Sequence, residues 1–510
     1  MDSGRLWRAS VMTAVVASAS VYVPAAMAQS APSNAELANL VKQQAAQIQR
    51  LNARIDQLEQ QRSGQGASQT ASSGMSANAA NGGAPRQTQP SVPSGKAAEK
   101  ATYASNGQSN ASLEQRVSKL EKDSVKVDWS DGAPELSSPN GDYTFGIGGR
   151  IQYDFSGTTG SDYNSRNITG SEFRRIRLDA HGKVAGWLMY KSELDFAGNS
   201  VGIRDMYLAA QKNFELGKGV VYLGSKFSDS GLDGRTSSKY TWFTERNTVA
   251  NAISLAPGAY NVGVSTALYG KHDDHISFAI TDGSPSDSNH SSDNFLVRSR
   301  AHWDPINTGN TIVHLGANGY YENYNQTREP QFSDNTIIAD HYNGNLRVSG
   351  PTITDGAKSS TAYGFELAGL TGPFAAGAEY GRMDVNARNG GTDTHIDAYS
   401  AQVGVSLTGE KFGYSTKQGV WTHPDVAHPV TQGGIGAWQL MARYQAVNAH
   451  HSAIYGGGTG HGTTVGLSWY LNDYMRVLLD DTLWQTDNRS GSYTGVDNGN
   501  TVSARTQIVF

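Results

Sequence analysis

From about Asp142 to the final residue, polar and apolar side chains alternate one by one in short runs, separated by Asn/Asp/Gly/Ser loops. FRRIRLDAHGK, Phe173 to Lys183, is the most highly charged of these runs. At the two-residue period of a β-strand, Arg175, Arg177, Asp179, His181 and Lys183 share one face, and Ile176, Leu178, Ala180, Gly182 and Val184 share the other. A half-buried strand in a soluble sheet alternates in the same way, so one such segment decides nothing. Its repetition decides more. Arg150, Gln152 and Asp154 oppose Ile151, Tyr153 and Phe155, and Lys191, Glu193 and Asp195 oppose Tyr190, Leu194 and Phe196. In the last run Val502, Ala504, Thr506, Ile508 and Phe510 share a face, with Arg505 and Gln507 opposite.

Between these lie Val220 to Phe227, Tyr260 to Tyr269, Asp274 to Ile280, Phe295 to Trp303, Thr311 to Tyr320, Ala362 to Leu370, Phe374 to Arg382, Ala398 to Leu407, Trp438 to Val447, Gly462 to Tyr470 and Tyr474 to Leu483. At roughly 20 to 24 residues per strand with its turn or loop, residues 140–510 have room for about 16 strands, an even number in the porin range. The expected fold is all-β, a transmembrane antiparallel barrel. A soluble sandwich or propeller is disfavoured, because no blade-length repeat is visible. Aromatics also recur at run ends (Tyr153, Tyr190, Phe196, Tyr269, Trp303, Trp469, Tyr470), as an interfacial girdle requires. The closing Phe510 is the ending common in outer-membrane barrels.

Composition agrees. The chain has 58 Gly and 24 Tyr among 510 residues, and outside its first residues no apolar run approaches the roughly 20 residues of a spanning helix. The absence of cysteine (Cys 0) fits an exported protein without disulfides. A net charge of -5 argues against bulk nucleic-acid binding, and no nucleic-acid partner is expected.

Residues 1–28 read as a secretory signal: Arg5 and Arg8, an apolar-to-small run from Val11 to Val23, then Ala26-Met27-Ala28 as a cleavage site. Residues 29–62 carry a 4-3 apolar seam (Leu37, Val41, Gln44, Ile48, Leu51, Ile55, Leu58), expected to form a short periplasmic coiled coil joining protomers; a solvated amphipathic helix is the alternative. Ile or Val at one seam position and Leu at the other favours two strands, so the coil alone does not argue for a trimer. Residues 63–110 are Ser, Ala, Gly, Asn, Gln and Pro, a linker composition without material for a core. Residues 111–128 hold a second, short heptad segment at Leu113, Val117, Leu120, Ser124 and Val127.

Six pieces, in order along the barrel, resemble the phosphate-selective porins, the O and P family of outer-membrane channels. They are GGRIQYDF (Gly148 to Phe155), FRRIRLDAHGK, YKSELDFAG (Tyr190 to Gly198), RTSSKYTWFTERN (Arg235 to Asn247), GAWQLMARYQ (Gly436 to Gln445) and VGLSWYLNDYMRV (Val465 to Val477). The resemblance implies a trimeric, 16-stranded porin whose third loop folds inward to narrow the pore, with arginines and lysines along an anion route. It carries constriction roles onto Arg150, Arg174 and Arg175, and hydroxyl-donor roles onto Ser237 and Ser238 of the infolded loop. Lys191, Lys226, Arg235, Lys239 and Arg246 are secondary pore-lining candidates.

The chemistry suits an oxyanion. A guanidinium fork makes two parallel charge-assisted hydrogen bonds and stays charged at working pH, and hydroxyls add neutral donors. Strict alternation conflicts with the resemblance at one point, since neighbours Arg174 and Arg175 cannot both face a lumen. Arg175 and Arg177 are lumenal by period; Arg174 needs a bulge, a rim position or an interfacial location. Asp179, Glu193 and Asp195 share that face and either orient the arginines or dilute anion preference. The histidines at 423, 428, 450, 451 and 461 lack zinc-like spacing, so no metal or other cofactor is expected. GIGGR at Gly146 has no βαβ context, and no Ser/His/Asp set stands at a recognisable nucleophile turn, so no catalytic residue is assigned.

The expected function is passive, anion-selective diffusion, of phosphate or polyphosphate, across an outer membrane, with outer-membrane lipid around a homotrimer and cell-wall contact through the coil. Two alternatives are a porin for a sugar or carboxylate, and a protein chiefly tethering the outer membrane to the cell wall through its coil.

Overall fold

The computed structural model describes residues 124–129, 132–283, 295–324, 338–353, 356–450 and 456–510, together with Gln115, Ser118 and Lys119. The signal, coil and linker expectations lie outside these residues. At the start, β1 (Lys126–Asp128) pairs with β2 (Glu135–Ser137), and β2 pairs with the first residues of β3 (Thr144–Thr159). Val127 is thus extended, opposite Leu136, and the heptad segment expected through residue 128 stops short of it.

Sixteen strands form the wall of the barrel. After β3 come β4 (Thr169–Val184), β5 (Leu188–Asp195), β6 (Gly202–Phe214), β7 (Gly217–Phe227), β8 (Tyr260–Gly270), β9 (Asp274–Thr281) and β10 (Phe295–Asn307). Then follow β11 (Thr311–Asn323), β12 (Ala357–Thr371), β13 (Phe374–Ala387) and β14 (Thr394–Ser406). The short hairpin β15 (Gly413–Ser415) and β16 (Val420–Thr422) intervenes before β17 (Ala437–Asn448), β18 (Gly458–Tyr470), β19 (Met475–Asn488) and β20 (Gly495–Val509). Each wall strand pairs antiparallel with its neighbours, and β20 closes on β3 with Val509 opposite Arg150. Closure removes the unpaired edges that an open sheet would expose to lipid.

The alternation is observed as inside and outside. Arg150, Gln152 and Asp154 are buried while Ile151, Tyr153 and Phe155 are exposed, and Arg505 and Gln507 are buried while Val502 and Ile508 are exposed. Two of the girdle expectations are corrected. Tyr269 stacks on the lumenal His275, and Tyr470 is buried in a small core with Val426 and Ala437. Trp469 stacks instead on Trp438 at the surface, and the period allows only one of the neighbours Trp469 and Tyr470 outside.

Connections at one end of the barrel are short turns and at the other longer loops, which sets the periplasmic and extracellular ends. The exception is the periplasmic-end connection 407–436, whose β15–β16 hairpin reaches into the lumen. The connection 228–259, between β7 and β8, also lies inside, and so do the described residues 338–353. Two apolar cores result. Val249, Ala252 and Ile253 pack with Ile338, Leu346 and Val348 against Met383, Val385, Ile396 and Ala398 of the wall. Leu232, Trp242 and Phe243 pack with Phe412 and Trp421 of the hairpin connection against Leu370, Met441 and Leu478. The lumen is therefore filled on the side of β11–β14 and β17–β19, and the polar wall of β3–β8 is left facing open space.

Candidate functional site

Two breaks in register bring extra charges to that open wall. Pairing of β3 with β4 runs in step to Gln152 opposite Arg175 and resumes with Tyr153 opposite Phe173. Arg174 is the extra residue of a bulge, so it and Arg175 both reach inward. Between β5 and β6 the register jumps from Ser192 opposite Met206 to Leu194 opposite Ile203, and Arg204 and Asp205 both turn inward.

Together with the inner loop 228–259, this wall bounds a chamber of about 550 Å³. Nine arginines and lysines line it: Arg150, Arg174, Arg175, Arg177, Lys191 and Arg204 from the wall, Arg235 and Arg246 from the inner loop, and Arg347 from the connection after β11. Among the described residues only three carboxylates do: Glu193, Asp205 and Glu245. All six primary sequence candidates, Ser237 and Ser238 included, meet in this one chamber.

Carboxylates and backbone carbonyls hold most of the forks in place. Arg150 donates to Ser238 Oγ at 2.8 Å, Ser237 Oγ at 3.3 Å and Glu193 at 3.1 Å. Arg177 donates to Asp195 at 2.8 Å, Glu193 at 2.9 Å and the Tyr260 hydroxyl at 2.8 Å. Lys191 bridges Asp205 at 3.0 Å and Glu193 at 3.4 Å, and Arg174 binds Glu245 through two nitrogens at 2.8 and 3.3 Å. Arg246 spends Nε and Nη2 on the carbonyls of Asp233 and Thr236, at 3.1 and 2.6 Å. Arg175 differs. Its Nη1 donates to Gln152 Oε1 at 2.9 Å, and among the described residues no carboxylate lies within 4.0 Å of it. Because Ser237 and Ser238 accept from Arg150 through oxygen, each hydroxyl keeps its proton for another acceptor.

The inner loop is fastened by the opposite wall. It enters at Gly231, whose φ of +75° lies in the left-handed region that glycine tolerates. Glu379 on β13 accepts from the N–H groups of Leu232 and Asp233 at 2.7 and 3.2 Å and from Asn247 Nδ2 at 2.7 Å. Asp480 on β19 accepts from the Thr244 N–H at 2.6 Å, and Arg476 on β19 donates to the carbonyls of Thr241 and Trp242 at 2.7 and 3.0 Å. Burial pushes the loop carboxyl of Glu245 up, but Arg174, which both faces it with charge and hydrogen-bonds to it, together with Arg175 and His341 outweighs burial and holds that carboxyl well below the usual carboxylate range. For the loop lysine Lys239, burial and then the nearby charge of Arg150 bring the ammonium down to about 8.

The secondary candidates divide. Lys191, Arg235 and Arg246 line the chamber. Lys239 lines a second cavity, of about 690 Å³, at the periplasmic end. Lys226 reaches neither, because its ammonium lies over the Tyr222 ring, 4.8 Å from the centroid, beside a crevice of about 30 Å³. Arg204, Asp205 and Arg347 were not among the sequence candidates. Arg204 lies in β6, the one strand of the barrel wall the alternation does not reveal, and Arg347 in a loop without a period.

A closed sixteen-strand barrel with an apolar outer face, a charged inner wall and a loop folded into its lumen is an outer-membrane porin. The chain belongs to the family described as phosphate-selective porin O and P, which matches residues 145–510. It is 25% identical over 407 residues to Porin O of Pseudomonas aeruginosa, covering 74% of this chain and 91% of that protein. An uncharacterised protein of Caulobacter vibrioides is 25% identical over 365 residues, covering 70% of this chain and 71% of that protein. Among solved structures, the outer-membrane protein OmpT of Vibrio cholerae superposes with a TM-score of 0.47 at 15% identity, covering 72% of this chain and 98% of that one.

Proposed function

We propose that this porin passes anions passively, phosphate or polyphosphate among them, through a constriction lined by Arg150, Arg174, Arg175, Arg177, Ser237 and Ser238, and that it works as a homotrimer. The observation that carries the selectivity is the excess, among the described residues, of nine basic side chains over three carboxylates around one chamber. An oxyanion entering it exchanges part of its hydration shell for guanidinium forks and serine hydroxyls. Pinning the forks with Glu193, Asp195 and Glu245 lowers the ordering cost of each contact and tempers the field. An anion is then held strongly enough to enter and weakly enough to leave. Family membership supports phosphate as the solute. The test is chloride conductance in a planar bilayer titrated with millimolar phosphate. Conductance falls as phosphate competes for the chamber; an unchanged conductance would remove phosphate from the account and leave the porin.

A further inference from the structure

We propose that the chamber and the cavity beneath it form a charge step that makes ion flow directional under a voltage, anions driven from the extracellular side carrying more current than anions driven from the periplasm. The proposal rests on the anion path just described and adds a direction to it.

The two cavities lie in series. Among the described residues they share Lys191 and Tyr207 and no other lining residue. The chamber lies toward the long loops, bounded by the starts of β6 and β8 at Arg204 and Tyr260 and by His341. The vestibule lies at the short-turn end, bounded by Thr144, Lys183, Tyr474 and Phe510. Their charges differ sharply. Among the described residues, against the chamber's nine bases and three acids the vestibule sets three lysines (Lys183, Lys191, Lys239) against four side-chain carboxylates (Asp128, Glu135, Asp179, Asp473), histidine counted as neutral.

Fixed positive charge fills a narrow segment with anions and excludes cations over about one Debye length, which is roughly 30 Å at 0.01 M salt, comparable with the roughly 25 Å apolar height of such a barrel. A voltage that drives anions from the basic segment into the slightly acidic one injects carriers at the junction, and cations drawn up from the periplasm accumulate there to balance them. The reverse voltage pulls both away and depletes the junction. Conductance is therefore higher for inward anion flow. At about 1 M salt the Debye length is roughly 3 Å and the step disappears.

The chain has no cysteine (Cys 0), so Thr392→Cys in the exposed turn after β13 gives a single biotinylation point on the extracellular side, and streptavidin reports which way a channel has inserted. At about 10 mM KCl, the ratio of inward to outward anion-driven current at equal and opposite voltages exceeds one, and it falls to one near molar salt as screening removes the field. In the double variant Glu135→Lys, Asp473→Lys, which puts bases in the vestibule away from the chamber, the ratio moves toward one while anion preference rises. A symmetric current at low salt, or a ratio below one, in a channel whose reversal potential is anionic would overturn the step and leave the anion path intact. A cationic reversal potential would overturn both.

Discussion

Arg174 and Arg175 are neighbours in sequence and in the lumen, yet their surroundings assign them different work. Arg174 is committed to Glu245 and ties the wall to the inner loop, whereas among the described residues Arg175 donates to the neutral Gln152 and has no carboxylate within 4.0 Å. Arg175→Glu therefore puts a negative charge in place of a positive one that has no carboxylate of the described residues within 4.0 Å. Its effect is to weaken or reverse anion preference in bilayer reversal potentials, and an unchanged preference would mean this strand does not line the ion's route. Lys239 gives the pore a dependence on pH. With its ammonium brought down to about 8, it is charged below that pH and neutral above it, so the vestibule becomes more negative as pH rises from neutral to alkaline. Anion preference falls across that interval, and in Lys239→Gln reversal potentials measured over the same range stay flat.

The inner loop and the periplasmic hairpin hold each other. Trp242 of the loop and Trp421 of the hairpin lie 4.8 Å apart, centroid to centroid, and Trp421 is fully buried among Phe412, Leu370 and Met441. Removing that ring in Trp421→Ala costs about 3–5 kcal/mol of local packing, enough to let both segments leave the filled side of the lumen. Single-channel conductance then rises and becomes noisier, while unaltered conductance would show that the hairpin does not brace the loop. The loop's inward path was legible only through family resemblance. The hairpin was not legible at all, because GYS and VWT are three-residue strands, too short to show a period. The bulges escaped for a related reason. Alternation reads faces correctly until a residue is inserted, so it placed Arg175 and Arg177 but could not place Arg174, and it lost β6 where Arg204 and Asp205 both turn inward.

At the scale of the molecule, the barrel was legible because one physical demand, apolar outside and polar inside, is written into nearly every strand from β3 to β20. The inference from charged face to lumen holds for β3–β8. It fails on β13 and β14, where Met383, Val385, Ile396 and Ala398 are apolar inside as well, because the infolded segments cover them. No strand's own sequence announces what will be laid over it. The result is an eccentric path in which basic residues line the open side of the lumen while the filled side carries the two apolar cores. The central claim is that this path favours anions, and the zero-current potential of the purified porin across a KCl gradient at low ionic strength tests it most directly. In an anion-selective pore the potential lies near that of chloride and moves toward zero as salt is raised and the chamber is screened. A potential on the potassium side would contradict the claim.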